Sequence, residues 1–160
     1  MPAAPFSVLT STPEASAMAG RLEVYLVEDS PILRRLFSAT LTEAGVKVVG
    51  WSADARKAIA DLSTLRPGVV VIDISLASGS GLDVLRALQD FDWATAMLKV
   101  VLTNHASAEY RELVHRLGAD RFFDKSLETS EAMRFIAKQA QSNSSTPRHA
   151  REEETAPAHS

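Results

Sequence analysis

The stretch that most limits what this chain can become is VVVIDIS, residues 69–75. A run of Val and Ile without polar alternation reads as a strand buried on both faces, the pattern of a parallel sheet covered by helices. An isolated carboxylate inside such a strand would cost several kcal/mol. Asp73 must therefore lie where the strand's carboxyl end meets water, or be supplied with partners.

Strand-like and helix-like segments alternate around this run. LEVYLV (22–27) reads as a strand, and PILRRLFSATLTEAG (31–45) as a helix with Pro31 in its first turn and Gly45 as its stop. In that helix Ile32, Leu36, Phe37, Thr40, Leu41 and Ala44 recur at helical spacing and are predicted to face inward, leaving Arg34, Arg35 and Glu43 for solvent. KVVGWSA (47–53) is a second strand, and DARKAIADLSTL (54–65) a second helix with Ala55, Ile59 and Leu62 inward. After the third strand, VVVID, come LDVLRALQDF (82–91, helix), MLKVVLT (97–103, strand), AEYRELVHRLG (108–118, helix), DRFFD (120–124, strand) and SEAMRFIAKQA (130–140, helix). Five such βα units predict a doubly wound α/β sheet with helices on both faces. Ligands of such sheets bind outside the carboxyl ends of the strands.

The two ends of the chain have a different composition. Residues 1–20 are rich in Ala, Pro, Ser and Thr, and residues 141–160 carry no large apolar side chain. Neither can bury enough surface to offset its ordering entropy, so both are predicted to be disordered tails around a folded unit of residues 21–140. With 46% apolar residues among 160, that unit can hold one real core. A net charge of -3 gives no basic footprint for nucleic acid. The absence of cysteine excludes disulfides and thiolate metal sites. No apolar run approaches the roughly 20 residues that span a bilayer, and the N-terminus lacks a basic n-region, so a cytoplasmic protein without membrane or nucleic-acid partners is expected.

The predicted strand ends carry a polar constellation. Strand one ends in Glu28-Asp29-Ser30, strand three in Asp73, strand four in Thr103 and strand five in Asp124-Lys125-Ser126. Three carboxylates gathered on one edge repel, and are relieved by Lys125 and by a bound cation. Oxygen ligands from Asp29 and Asp73, with Glu28 acting through water, suit Mg²⁺ or Mn²⁺. A carboxylate nucleophile beside a divalent ion, an ammonium and a hydroxyl is the equipment for phosphoryl transfer to an aspartate. In that reading Asp73 attacks, while Lys125 and Thr103 bind phosphoryl oxygens.

This ordered set, with Gly81 eight residues after Asp73 and LGADRFFDKS before the last helix, resembles the response-regulator receiver domain of two-component systems over nearly all of residues 22–140. The resemblance implies a five-stranded parallel sheet with five helices, flavodoxin- or CheY-like, in strand order 2-1-3-4-5. It implies Asp73 as phosphoacceptor, with Lys125 and Thr103 as its catalytic partners. The metal ligands would be Glu28, Asp29, Asp73 and the Ser75 backbone carbonyl. A histidine kinase or phosphotransfer protein would donate the phosphoryl group. A Thr103/Phe122 switch would bias the face formed by helix four, strand five and helix five, where an output protein or a second copy of the chain would bind. The domain would be a signalling module and not an enzyme, with only Mg²⁺-dependent self-phosphorylation and dephosphorylation chemistry of its own.

The chain departs from the family's usual pattern at several places. Lys125 is followed by Ser126 where Pro is frequent, so a trans peptide is expected there, a non-proline cis bond costing about 3 kcal/mol. Leu76-Ala77 and SGSG follow the aspartate where Met-Pro is common, which predicts a looser loop. Phe122 has no hydroxyl where Tyr is frequent, and Asn104 follows Thr103 where a small residue is usual. An adaptor that binds partners without phosphorylation is the second reading. A haloacid dehalogenase-like phosphatase would need an acid two residues after Asp73, where Ser75 stands. A flavodoxin-like FMN site would need a phosphate loop where Glu28-Asp29 would repel the phosphate.

Overall fold

Each strand divides its side chains between two apolar layers, and this division sets the architecture. The computed structural model describes residues 20–145. The chain runs β1 (Glu23–Val27), α1 (Pro31–Glu43), β2 (Lys47–Ser52), α2 (Ala55–Leu65), β3 (Val69–Ile72), α3 (Gly81–Gln89), a 3-10 turn (Asp92–Ala96), β4 (Leu98–Thr103), α4 (Ala108–Arg116), β5 (Arg121–Asp124) and α5 (Lys125–Ser145). All neighbouring strands pair in parallel, in the order β2-β1-β3-β4-β5.

Alternation along the central strands feeds both faces. Tyr25, Val27, Val70, Ile72 and Val101 pack with Ala58 and Leu62 of α2, Val84, Leu85 and Leu88 of α3, and Val114 of α4. Val24, Leu26, Val69, Val71, Val100 and Leu102 pack with Phe37 and Leu41 of α1, and with Ala132, Met133 and Ile136 of α5. The uninterrupted Val/Ile run of β3 is thus explained: every one of its residues is buried, and the faces alternate beneath different helices.

Helix starts are locally encoded. Ser30 caps α1 by accepting from the Leu33 amide, Asp54 caps α2 through the Lys57 amide, and Ser80 with Asp83 forms a capping box on α3. Two expectations need correction, and one element gains a turn. In α1 the core-facing row is Leu33, Phe37 and Leu41, whereas Ile32 is 77% exposed and Leu36 52% exposed. Both rows satisfy helical spacing, and the sheet chose the one a residue later. The last helix is preceded by a helical turn at 125–127 that the sequence did not announce, a non-helical Glu128 separates that turn from the helix expected from 130, and the helix runs on to Ser145. Its extension past 140 carries it into the stretch predicted to be a tail. The remaining tail residues, 1–19 and 146–160, lie outside the described residues.

The loop after β3 is also tighter than its Gly and Ser content suggests. Ala77 N–H donates to the Ala53 carbonyl (3.1 Å), Ala55 N–H to the Ser78 carbonyl (3.0 Å) and Gly81 N–H to the Ile74 carbonyl (2.9 Å). The loop is thereby tied to the start of α2 and closed upon itself. No peptide bond among the described residues is cis, so Lys125-Ser126 is trans as expected.

Candidate functional site

The strand ladders carry one residue beyond their formal ends, and that step places the acids. Glu28 N–H donates to the Ser52 carbonyl at 3.0 Å, and Asp73 N–H donates to the Val27 carbonyl at 2.9 Å. Glu28 and Asp73 are therefore held side by side at the carboxyl edge of β1 and β3, both buried. Asp29, the next residue, is exposed. Oxygens of Glu28, Asp29 and Asp73 all lie within 4.8 Å of one another.

Lys125 enters this group from the start of α5. Its ammonium donates to Asp73 Oδ2 at 2.5 Å and to Glu28 Oε2 at 2.8 Å, with all three side chains buried. The other Glu28 oxygen accepts from the Ser30 amide at 3.1 Å, and Asp73 Oδ1 accepts from the Ser75 amide at 3.2 Å. Burial pushes the Glu28 carboxyl above its ordinary range, against the lowering pull of the Lys125 hydrogen bond and charge. Burial would lower the Lys125 ammonium, but its bonds to Asp73 and Glu28 outweigh that and hold it above its usual value.

Close backbone approach completes the edge. A Cβ at Gly81 would lie 2.2 Å from the Asp73 carbonyl oxygen and 2.8 Å from Ile72 Cγ2. Only glycine lets the first turn of α3 pass beneath the aspartate.

The remaining expected residues sit around this centre. Thr103 closes β4, is fully buried, and its Oγ1 accepts from the His105 amide at 3.2 Å. It stands opposite Asp124 in the β4–β5 register, one residue before Lys125. Ser75 lies on the turn beside Asp73, its amide committed to that carboxylate. Phe122 is half-buried against the layer containing Val101, and the Arg111 guanidinium lies 4.5 Å over its ring. Asn104 and Ser126, both departures from the family's usual pattern, meet each other: Ser126 Oγ donates to Asn104 Oδ1 at 2.8 Å.

Glu28, Asp29, Asp73 and Lys125 are thus brought together, with Thr103 at the end of β4 and Ser75 on the turn after β3. Hard oxygen donors in this number, partly buried and partly facing water, fit a divalent ion such as Mg²⁺ that retains several waters. Arg34, expected to face solvent, instead donates from Nη1 to the Glu28 and Asp29 carbonyls. Its position in the first turns after those acids was the only available signal.

Comparison with known proteins identifies the family to which this fold belongs. The model of the family described as "Response regulator receiver domain" matches residues 24–139. The chain belongs to this receiver family. It is 28% identical over 104 residues to a protein-glutamate methylesterase/protein-glutamine glutaminase of Archaeoglobus fulgidus, covering 65% of this chain and 30% of that protein. It is 28% identical over 69 residues to the chemotaxis protein CheY of Thermotoga maritima, covering 43% of this chain and 58% of that one. The matched part therefore spans less than two thirds of either relative. Among solved structures, the receiver domain of a sensor histidine kinase from Pseudomonas aeruginosa, with a magnesium ion coordinated in its active-site cleft, superposes with a TM-score of 0.65 at 23% identity. That match covers 75% of this chain and 97% of that domain. Receiver domains are signalling domains, and the five-stranded order seen here is theirs. Among the described residues, no helix is long and apolar enough to cross a membrane.

Proposed function

We propose that this receiver domain accepts a phosphoryl group on Asp73 from a phosphohistidine of a histidine kinase or phosphotransfer protein. The observation that carries the reading is the buried Asp73 carboxylate, bonded at once to the Lys125 ammonium and the Ser75 amide beside two further acids. These contacts orient an anionic oxygen nucleophile at the carboxyl end of β3, beside the exposed Asp29. An Asp73 oxygen forms a bond to phosphorus as the phosphorus–nitrogen bond of the donor breaks, and the departing imidazole takes a proton from solvent. Lys125 then offers its ammonium to the phosphoryl oxygens in place of Asp73 Oδ2. Mg²⁺ held by Glu28, Asp29, Asp73 and the Ser75 carbonyl would neutralise charge on those oxygens.

A protein donor fits the rim of the site. Ile32 and Leu127, 77% and 82% exposed, each stand two or three residues beyond Asp29 and Lys125 in the chain. Large apolar side chains left this exposed beside a polar centre suit a macromolecular contact. Signalling would follow from Thr103 turning toward the phosphoryl group. That motion gives up the His105 amide bond and frees Phe122 to move from beneath Arg111. The face so altered, α4–β5–α5, would then meet an output protein or a second copy of the chain.

Intact mass after incubation with acetyl phosphate and Mg²⁺ tests the assignment. The expected result is a hydroxylamine-labile gain of one phosphoryl group, lost in Asp73→Asn and in EDTA. Full labelling of Asp73→Asn would sink it. No labelling from either acetyl phosphate or a phosphorylated donor protein would favour the adaptor reading.

A further inference from the structure

Arg34 sits outside the acidic constellation yet touches both of the adjacent acids through their backbone. Its Nη1 donates to the Glu28 carbonyl at 2.9 Å and to the Asp29 carbonyl at 3.2 Å. Its guanidinium plane rests on the Trp51 ring, 3.5 Å from the ring centroid. Trp51 stands at the end of the edge strand β2, opposite Leu26, and is 49% exposed. Lys57 steadies the tryptophan from α2: its ammonium donates to the Trp51 carbonyl at 3.4 Å and to Asp61 Oδ2 at 3.0 Å, and Asp61 in turn accepts from Tyr25 OH at 2.6 Å.

This chain of contacts is not needed to start α1. Ser30 already caps that helix, Pro31 occupies its first turn, and Arg34's own amide bonds to the Ser30 carbonyl in the ordinary helical way. What the Arg34 side chain adds is a fixed position for the peptide units of Glu28 and Asp29. Asp29 needs it most. Glu28 is held by Lys125 and by the Ser30 amide, whereas Asp29 is exposed and, among the described residues, no hydrogen bond or ion pair engages its carboxylate. A small, hard divalent ion demands near-octahedral placement of its oxygens. A mobile ligand would lose conformational freedom on binding it.

We infer that Arg34, clamped on Trp51, is a positioning residue that presets Asp29 and Glu28 for the divalent cation. The inference rests on the reading of the acidic cluster as a Mg²⁺ site. Groups that orient metal ligands without touching the metal commonly change affinity 10- to 100-fold when removed. The planar guanidinium is suited to this double duty, donating in its plane while stacking on its face. The same stacking makes Trp51 a reporter: a cation that tightens the Glu28-Asp29 peptide units should alter the environment of the ring.

The test is titration of the full chain with MgCl₂ by calorimetry, with tryptophan fluorescence in a Trp93→Phe background. Arg34→Met is expected to weaken Mg²⁺ affinity by about tenfold, and Arg34→Lys to recover only part of that loss, because an ammonium keeps the charge but lacks the planar fork that donates to two carbonyls while stacking on Trp51. In the Trp93→Phe background Mg²⁺ should change Trp51 emission, and Arg34→Met should flatten that change. Should Arg34→Met fail to fold, Trp51→Leu takes its place, with a several-fold weakening expected. Wild-type affinity in either variant would overturn the inference while leaving the metal site standing. A wild-type chain that gives no heat and no emission change with Mg²⁺ would overturn both.

Discussion

Lys125 is the residue on which the polar edge balances. One ammonium faces two buried carboxylates, Asp73 at 2.5 Å and Glu28 at 2.8 Å, so the cluster keeps an excess of negative charge even before exposed Asp29 is counted. Removing the cation leaves both acids without a counter-charge, and breaking buried pairs in this way costs about 3 to 5 kcal/mol. The lower end applies here, since the Ser30 and Ser75 amides still donate to the two carboxylates. Lys125→Met should therefore lose about 3 kcal/mol at pH 7.5 by urea denaturation. The pH dependence has a definite sign. A carboxyl whose folded pKa is raised holds its proton more readily folded than unfolded, so the fold gains stability as pH falls through the raised value toward the ordinary carboxylate range. Burial already raises Glu28, and loss of Lys125 removes what pulls it down. Lys125→Met should accordingly recover stability between pH 7.5 and 5, by more than the wild type gains. A variant equally destabilised at both pH values would mean that the lysine's role is packing and not charge.

At the scale of elements, the junction β3–loop–α3 shows how the fold presents one side chain. Gly81 lies two residues after Gly79, where the backbone turns at positive φ, and the peptide of Asp73 lies directly against it. Gly81→Ala would drive a methyl group into backbone, where no side chain can yield, so α3 or the aspartate must shift. A loss of about 1 to 3 kcal/mol in unfolding free energy is expected, with phosphoryl uptake falling further than stability does. Wild-type uptake in a folded Gly81→Ala chain would show that the close approach does not position Asp73. This junction was legible in part: the acid after a Val/Ile run and the glycine eight residues later belong to the ordered set that resembles receiver domains, but the loop between them was expected to be looser than it is. The β5–α5 junction was not. Asp124-Lys125-Ser126 reads as a strand end and turn, yet Asp124 Oδ1 accepts from the Ser126 amide at 2.8 Å and Glu128 reaches back to the Asp124 amide at 3.0 Å. Those two local bonds start the helix at Lys125, and the non-helical Glu128 then re-aims it. Arg34 was misread for a related reason: helical spacing marks a residue as outward, but cannot show that the outward direction meets a tryptophan from another strand.

Among the described residues, two apolar layers on either face of one sheet are stabilised by burial, while the carboxyl edge of that sheet accumulates like charge. That edge is a cost in the folded state that the unfolded chain, with its acids apart and hydrated, does not bear. A ligand that binds only the assembled edge should therefore be felt globally. Binding to the native state alone stabilises by mass action, about 2.7 kcal/mol when the free ligand is one hundred times its dissociation constant. Mg²⁺ added to EDTA-treated protein should raise the unfolding temperature by several degrees, increasing with the logarithm of its concentration once the site is filled. Asp29→Ala separates this site from nonspecific screening. It removes an exposed acid that no ion pair to Lys125 engages, so the metal-free fold should be little changed or slightly stabilised by the loss of repulsion. The Mg²⁺-dependent rise should shrink markedly, and NaCl at matched ionic strength should not reproduce it in either chain. Equal rises in wild type and Asp29→Ala would move the cation away from the Glu28, Asp29 and Asp73 cluster. A rise confined to the wild type would tie the stability of the whole sheet to the one edge where its charges meet.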